Sequence, residues 1–436
     1  MKPAIRTEDA PAVSRPVAAL RGIAAVPGDK SVSHRALMLA AIAEGETLVT
    51  GLLEGEDVLH TAAALRAMDA EIEKHGDAWR IRGVAALRQP AGDLYLGNSG
   101  TSARLLAGLV SGYPVTAVFT GDASLSRRPM QRVTLPLAQM GAKFEDGTLP
   151  LRVRGGNLQA IRYTLPVASA QVKSAILLAG LNAAGETIVL EPAPTRDHTE
   201  RMLKLFGAEI AVDGAEIRLK GGQKLKSPGT LQVPADPSAA AFPIVAALIT
   251  RNSDLTVPNV MINPRRDGFY KTLLEMGADI AFENRRRLSG EEVADIRARS
   301  SRLKGVAVPP QRVPSMIDEF PILGIAAAFA EGETEMTGLA ELRVKESDRL
   351  AAIAEMLAGA GVKCQSGEDS LRVTGGTVKG GSAVKTHLDH RIAMSALVLG
   401  MNAAEPVAID SAGMIATSFP GFIDLMNGLG AEIGAL

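Results

Sequence analysis

Lys30–Thr47 reads KSVSHRALMLAAIAEGET: a polar, cationic opening, a run of small and aliphatic residues, then a Gly-bearing turn. The run is apolar on nearly every face instead of along one stripe, which predicts a helix buried on most sides. The same design returns as SGTSARLLAGLVSG from Ser99, ASAQVKSAILLAGLNAAGET from Ala168, ADPSAAAFPIVAALI from Ala235, SMIDEFPILGIAAAFAEGET from Ser315 and HLDHRIAMSALVLGMNAAE from His387. The starts recur roughly every 70 residues, the mark of an internal repeat. After each comes a short β-branched stretch (TLVTGLL, VTAVFTGD, TIVLEP, DLTVPNV, TEMTGL, PVAID), then a second helix ending in AMDAEIE, QMGAKFE, LFGAEIA, EMGADIA, GAGVKCQ or GLGAEIG. A Gly or polar residue there closes the helix and a strand begins. Six such units suit two domains of three, with strands outside buried helices; a long doubly wound sheet is the alternative that periodicity leaves open.

The opening PGDKSVSHRA, Pro27–Ala36, also has to be weighed as a nucleotide phosphate loop. The G-x-x-x-x-G-K-[ST] spacing fails, because Gly22 is one residue too far from Gly28 and Asp29 stands between Gly28 and Lys30. A helix N-terminus with Lys30, Ser31 and Arg35 still suits an anion, through its orphan N–H groups, its dipole and two cations. A plain Ser-started, solvated helix end is the other reading.

Bulk composition narrows the function. The 436 residues are 46% hydrophobic, enough for two or three cored domains, and the formal net charge of −1 gives no reason to expect nucleic acid or an anionic membrane as partner. Aromatic residues are only 3%, against stacking platforms for single strands. The single Cys364 excludes a disulfide framework and a multi-cysteine zinc site. No apolar run approaches the ~18 residues of a membrane span, and MKPAIRTEDAPAVSRP at the start lacks a signal segment, so a cytoplasmic protein is expected.

The starts of the repeats are loaded with charge. They offer Lys30, Ser31 and Arg35; Asn98, Ser99, Gly100 and Thr101 with Arg127 and Arg128; Ser169, Ala170, Gln171 and Lys173 with TRDHTE; Asp318 with RVKESDRL; and LDHR ending in Arg391. Singly each fits a cap or a solvated face; their recurrence favours a shared anion site. In RVKESDRL, Lys345 and Arg349 are four apart and are expected to share a helix face, with Glu346 beside it and Asp318 as a second carboxyl for proton transfer. His387, Asp389 and His390 lack the i,i+4 histidine pair of a zinc helix, so no metal is expected; His390 is read as a hydrogen-bonding residue that orients the site and His34 as structural.

PGDKSVSHRA, GNSGTSARLL, SRRPM, SAQVK, RVKESDRL and LDHRIAM together make the chain resemble the 5-enolpyruvylshikimate-3-phosphate synthases over essentially its whole length. The resemblance implies a two-domain inverse α/β barrel of six βαβαββ repeats, three per domain. It divides the chain into a discontinuous domain of 1–26 and 237–436 and an inserted domain of 27–236, with the active site in the cleft between them. It also implies transfer of the enolpyruvyl group of phosphoenolpyruvate to the 5-hydroxyl of shikimate 3-phosphate, without metal or organic cofactor. The sequence does not give the oligomeric state, and a monomer is the default. Carried over by position, Lys30, Ser31, Arg35, Ser169, Ala170, Gln171, Arg196, Asp318 and Lys345 match shikimate 3-phosphate contacts. Lys30, Gly100, Arg128, Gln171, Arg349 and Arg391 match phosphoenolpyruvate contacts, and Asp318, Glu346 and Lys30 the catalytic groups.

Two departures stand out. Thr417 occupies a place where some members have Lys, and SAQVK, RDHTE and that Thr resemble the branch described as tolerant of glyphosate. That branch commonly has Ala at the position of Gly100 and N-x-T-R where this chain has Asn263-Pro264-Arg265-Arg266, so a more sensitive enzyme is expected. The competing functions are a UDP-sugar enolpyruvyl transferase, which uses a mobile-loop cysteine as acid, and a non-catalytic phospho-acid binding protein.

Overall fold

The computed structural model describes residues 10–84 and 86–436. The segment read against a signal sequence includes residues 1–9, which lie outside the described residues. The described residues form two compact units: one from Ala10–Pro27, Ala235–Arg286 and Glu292–Leu436, the other from Gly28–Pro234 and Arg287–Glu291.

Among the described residues, twelve helices of seven or more residues alternate between two kinds, and a short helix, Ala123–Ser126, stands apart from them. The inner ones are α1 (Lys30–Ile42), α3 (Gly100–Ser111), α5 (Ala170–Gly180), α7 (Pro237–Ile249), α9 (Phe320–Ala328) and α11 (His390–Gly400). The outer ones are α2 (Glu56–Ala67), α4 (Gln131–Gln139), α6 (His198–Leu205), α8 (Gly268–Glu275), α10 (Arg349–Gly359) and α12 (Phe422–Gly428). Every residue of α7, α9 and α11 is buried, as their all-round apolar sequences require. Within each unit the inner helices pack on one another, α1 with α3 and α3 with α5 in one, α7, α9 and α11 mutually in the other. Gly108 shows how close this approach is, since a Cβ there would overlap the carbonyl oxygen of Ala175 on α5.

Among the described residues each unit carries three four-stranded sheets, and all six sheets share one pattern: one parallel pair followed by two antiparallel pairs. Thr230–Gln232 runs parallel to Glu46–Thr50, which pairs antiparallel with Ala78–Arg82, which pairs antiparallel with Glu71–His75. Alternation sets the faces: Val49, Trp79, Ile81 and Ile72 are buried, while Arg80 and Arg82 on the other face form ion pairs with Glu73, Glu71 and Glu46. Mixed sheets of this kind exclude the doubly wound alternative, whose strands are mostly parallel.

The endings of the outer helices are equally regular. Asp69, Gly141, Gly207, Gly277, Gly361 and Gly430 all hold positive φ, between 80° and 112°. A left-handed residue stops a helix and redirects the chain into the next strand, and five of the six positions use Gly because it alone lacks a Cβ penalty.

Candidate active site

Five of the six inner helices open on a capping side chain: Asp29 accepts from the Val32 N–H, Ser99 from Ser102, Ser169 from Val172, Asp236 from Ser238 and Asp389 from Arg391. Cap and anion site are therefore not alternatives. At α1 the cap is Asp29, fully buried, so the helix start is neither Ser-led nor solvated. Asp29 spends its charge on the backbone, and Lys30 and Arg35 occupy the turns beyond it.

In the unit built on α1, α3 and α5, Lys30 Nζ forms an ion pair with Asp57 from the first turn of α2. Arg35 is buried. Its Nε donates to Thr199 Oγ1 at 2.7 Å, Nη2 to Ser174 Oγ at 2.7 Å and Nη1 to the Ser31 carbonyl at 2.9 Å. Burial pushes its pKa down to about 10, against the pull of Glu200 and Asp29, and leaves it charged at neutral pH. Arg196 is half-buried and near enough for its charge to act on Arg35. His34 is fully buried with Nδ1 2.8 Å from Thr61 Oγ1; burial, Lys30 and Arg35 hold its pKa well below the ordinary value, so it is neutral and structural.

A second group gathers at α3 and α5. Arg104 Nη1 donates to Gln171 Oε1 at 2.8 Å and Gln171 Nε2 to Thr101 Oγ1 at 3.1 Å. Arg128 Nη2 donates to Asn98 Oδ1 at 2.6 Å, and Asn98 Nδ2 to Asp122 Oδ2 at 2.7 Å. Gly100 lies between the two guanidinium groups: a Cβ would stand 2.9 Å from Arg104 Nη1 and 3.1 Å from Arg128 Nη1. Gly100, Arg128 and Gln171 are thus brought together. Ser31, Ser169 and Ala170 are half-buried, with Ser169 spent on its cap, and Arg127 is exposed. Lys173 departs from its reading as a group at the helix mouth: it is fully buried, 2.7 Å from Glu200 and 3.1 Å from Glu191.

The other unit centres on Arg349, 1% exposed. Its Nη1 donates to Asp318 Oδ1 at 3.0 Å, Nη2 lies 2.6 Å from Glu346 Oε2, and Nε donates to Asp389 Oδ2 at 2.8 Å. Burial alone would lower the Arg349 pKa; the carboxylates of Asp389, Glu346 and Asp318 outweigh it and raise the pKa. Asp389 is held below the ordinary carboxylate range because Arg349 and His390 overcome the effect of its burial. Ser347 Oγ donates to Asp389 Oδ2 at 3.0 Å. Lys345 Nζ and Arg391 Nε each stand 4.0 Å from Asp318 Oδ1, and Arg391 Nη1 donates to the Asp318 carbonyl at 3.2 Å.

One expectation fails here. Lys345 and Arg349 do not share a helix face, because α10 begins at Arg349 with Asp348 as its cap and Lys345 follows a 3-10 turn over Ala340–Val344. Both cations reach Asp318 all the same, Lys345 from the loop and Arg349 from the helix. Thr417 donates to the Met414 carbonyl at 2.8 Å and lies 3.5 Å from His390 Nδ1. Asn263 and Arg266 are buried, Arg266 donating to Ser238 Oγ at 2.7 Å and pairing with Asp236, while Arg265 between them is half-buried. Cys364 sits in the strand Lys363–Ser366 opposite Val373, and burial raises its pKa.

The family model described as EPSP synthase (3-phosphoshikimate 1-carboxyvinyltransferase) matches residues 14–426. The chain belongs to the EPSP synthase family. Proteins named 3-phosphoshikimate 1-carboxyvinyltransferase from Parvibaculum lavamentivorans and Paramagnetospirillum magneticum are each 58% identical to it, over 96% of both chains and over 97% and 98% respectively. The EPSP synthase of Acinetobacter baumannii is 48% identical, with a TM-score of 0.88 over 98% of this chain and 100% of that one. The enolpyruvyl transferase NikO from Streptomyces tendae, at 16% identity and TM-score 0.80, shares the fold. The architecture is accordingly the two-domain inverse α/β barrel, and the chain is a transferase of the EPSP synthase family.

Arg104, Asp57, Ser174 and Thr199 are polar partners that the sequence reading passed over. Arg104 carried a signal, since it lies one helical turn beyond Gly100 on the same face. Asp57 carried none, because only the packing of α2 on α1 brings it to Lys30.

Proposed function

We propose that these two sets of charged groups act on one pair of substrates, shikimate 3-phosphate and phosphoenolpyruvate. The reaction adds the shikimate 5-hydroxyl to the central carbon of phosphoenolpyruvate while the methylene carbon gains a proton. The tetrahedral adduct then loses phosphate and a methyl proton to give the enolpyruvyl ether. Asp318 takes the hydroxyl proton, and Glu346 delivers the proton to the methylene carbon and removes one in the elimination. Lys30, Ser31, Arg35, Ser169, Ala170, Gln171, Arg196 and Lys345 hold shikimate 3-phosphate. Lys30, Gly100, Arg128, Gln171, Arg349 and Arg391 receive phosphoenolpyruvate, whose carboxylate and phosphate suit bidentate arginine.

The observation that supports this most directly is Arg349, which fixes Asp318 and Glu346 on one guanidinium and so sets two proton-transfer groups side by side. Neither metal nor organic cofactor enters these steps. The enzyme acts as a cytoplasmic monomer without nucleic-acid or membrane partners; among the described residues no helix is long and apolar enough to cross a membrane. Its sequence stands closer to the glyphosate-tolerant branch, but Gly100 leaves the space between Arg104 and Arg128 open, and inhibition is stronger than in relatives with Ala there. The UDP-sugar reading is disfavoured by Cys364, which lies in a paired strand and not a loop.

Phosphate release on mixing the two substrates tests the assignment. Parent enzyme releases phosphate, and Asp318→Asn and Glu346→Gln release it far more slowly. Absence of release from the parent would leave a binding protein as the reading.

A further inference from the structure

Asp57 has no part in the scheme above, yet it is the ion-pair partner of Lys30. It is 6% exposed and sits in the first turn of α2, where the helix N-terminus favours a carboxylate. Its backbone is tied down as well. The Asp57 carbonyl accepts from Thr61 Oγ1 and from Ser102 Oγ, each at 3.3 Å, and these hydroxyls meet one another at 2.7 Å. Thr61 continues to His34 Nδ1 on α1, and Ser102 to the α3 cap Ser99 at 2.6 Å. Side chains from three helices therefore hold the Asp57 backbone, and a short, buried side chain carries its carboxylate from there, whereas Lys30 alone would be a point charge on a flexible four-carbon stem.

We propose that Asp57 is a positioning residue for the reaction, fixing the Lys30 ammonium at the place where charge develops on phosphoenolpyruvate. This rests on the assignment of Lys30 as a substrate and transition-state contact. Asp57 is itself an anion near a site for anions, so in the ground state its charge opposes binding. Its favourable contribution lies in geometry. The long-range attraction of an ammonium group survives a small displacement, but a directed contact to a transition state does not. Loss of Asp57 accordingly lowers kcat and leaves KM near or below that of the parent.

Steady-state kinetics of Asp57→Asn, Asp57→Glu, Lys30→Gln and the Asp57→Asn/Lys30→Gln double variant, each with a thermal melt, test this. Asp57→Asn lowers kcat by about 10- to 100-fold while KM for either substrate rises by no more than about threefold. Asp57→Glu recovers most of the loss, and in the Lys30→Gln background Asp57→Asn costs nothing further. Parent-like kcat in Asp57→Asn, or additive losses in the double variant, overturns the proposal. If Asp57→Asn does not fold, Asp57→Ser, whose small polar side chain suits a first helical turn, is measured against the same split. Lys30→Gln with unaltered kcat and substrate binding overturns the Lys30 assignment itself. An impaired Lys30→Gln beside a normal Asp57 variant overturns only the positioning role.

Discussion

Arg349 Nη1 lies 3.0 Å from Asp318 Oδ1, and the same guanidinium holds Glu346 and Asp389. One buried cation thus organises three carboxylates drawn from three segments of the chain. Removing it leaves them facing one another with less compensating charge, since Lys345 and Arg391, each 4.0 Å from Asp318, remain. Arg349→Ala is expected to destabilise its unit by about 3–5 kcal/mol, and Arg349→Lys also destabilises it, because an ammonium cannot reproduce the fork. Urea denaturation midpoints measure both, and parent-like midpoints would show the carboxylates to be held by other means.

His34 makes stability depend on pH. Its folded pKa is lowered by burial, Lys30 and Arg35, whereas the unfolded chain titrates near ~6.5. Below that value the unfolded state binds the proton that the folded state refuses, so the contribution of His34 falls as pH falls and is flat above it. The slope reaches about 1.4 kcal/mol per pH unit for one such site. His34→Asn is expected to lack this component when unfolding free energies at pH 5 and 7 are compared with the parent.

Gly108 has no room for a side chain. Because the obstacle is the Ala175 backbone, Gly108→Ala forces α3 and α5 apart. A loss of about 1–3 kcal/mol is expected, read as a lower melting temperature.

Gly100 differs in kind. The atoms a methyl group would meet are the ends of two flexible arginines, so Gly100→Ala folds with little change in stability. What moves is Arg104, which holds Gln171 by a charge-assisted hydrogen bond, and Arg128. KM for phosphoenolpyruvate is expected to rise roughly tenfold, the scale of losing one such bond. Calorimetric melting and steady-state kinetics separate the two effects.

The repeated architecture was legible because the inner helices advertise burial on every face and the outer ones end on Gly or Asp at one position. The polar starts were legible too, though as a choice between cap and site; Asp29 and Asp389 show that one residue ends the helix while its neighbours carry the cations. The helix phase around Lys345 was misjudged although its signal was present: Asp348 stands immediately before Arg349 as the other Asp caps stand before their helices. Lys173 was misplaced because its burial depends on Glu191 and Glu200, remote in sequence and supplied by the fold.

The sheet containing the strand Ala12–Arg15 has a consequence for how the chain is made. Val13 pairs with Ala408 on one side and with Gly434 on the other, so a strand made about 400 residues before its neighbours becomes the middle of the last of these sheets to be completed. The unit spanning Gly28–Pro234 can assemble most of its sheets while translation continues, lacking only the Arg287–Glu291 segment until that emerges. Its companion must keep Ala12–Arg15 unpaired until Val407–Ile409 and Glu432–Ala435 have left the ribosome, an interval in which exposed edges invite other partners. For this protein the vulnerable period of biogenesis lies between the synthesis of Ala12–Arg15 and that of Glu432–Ala435.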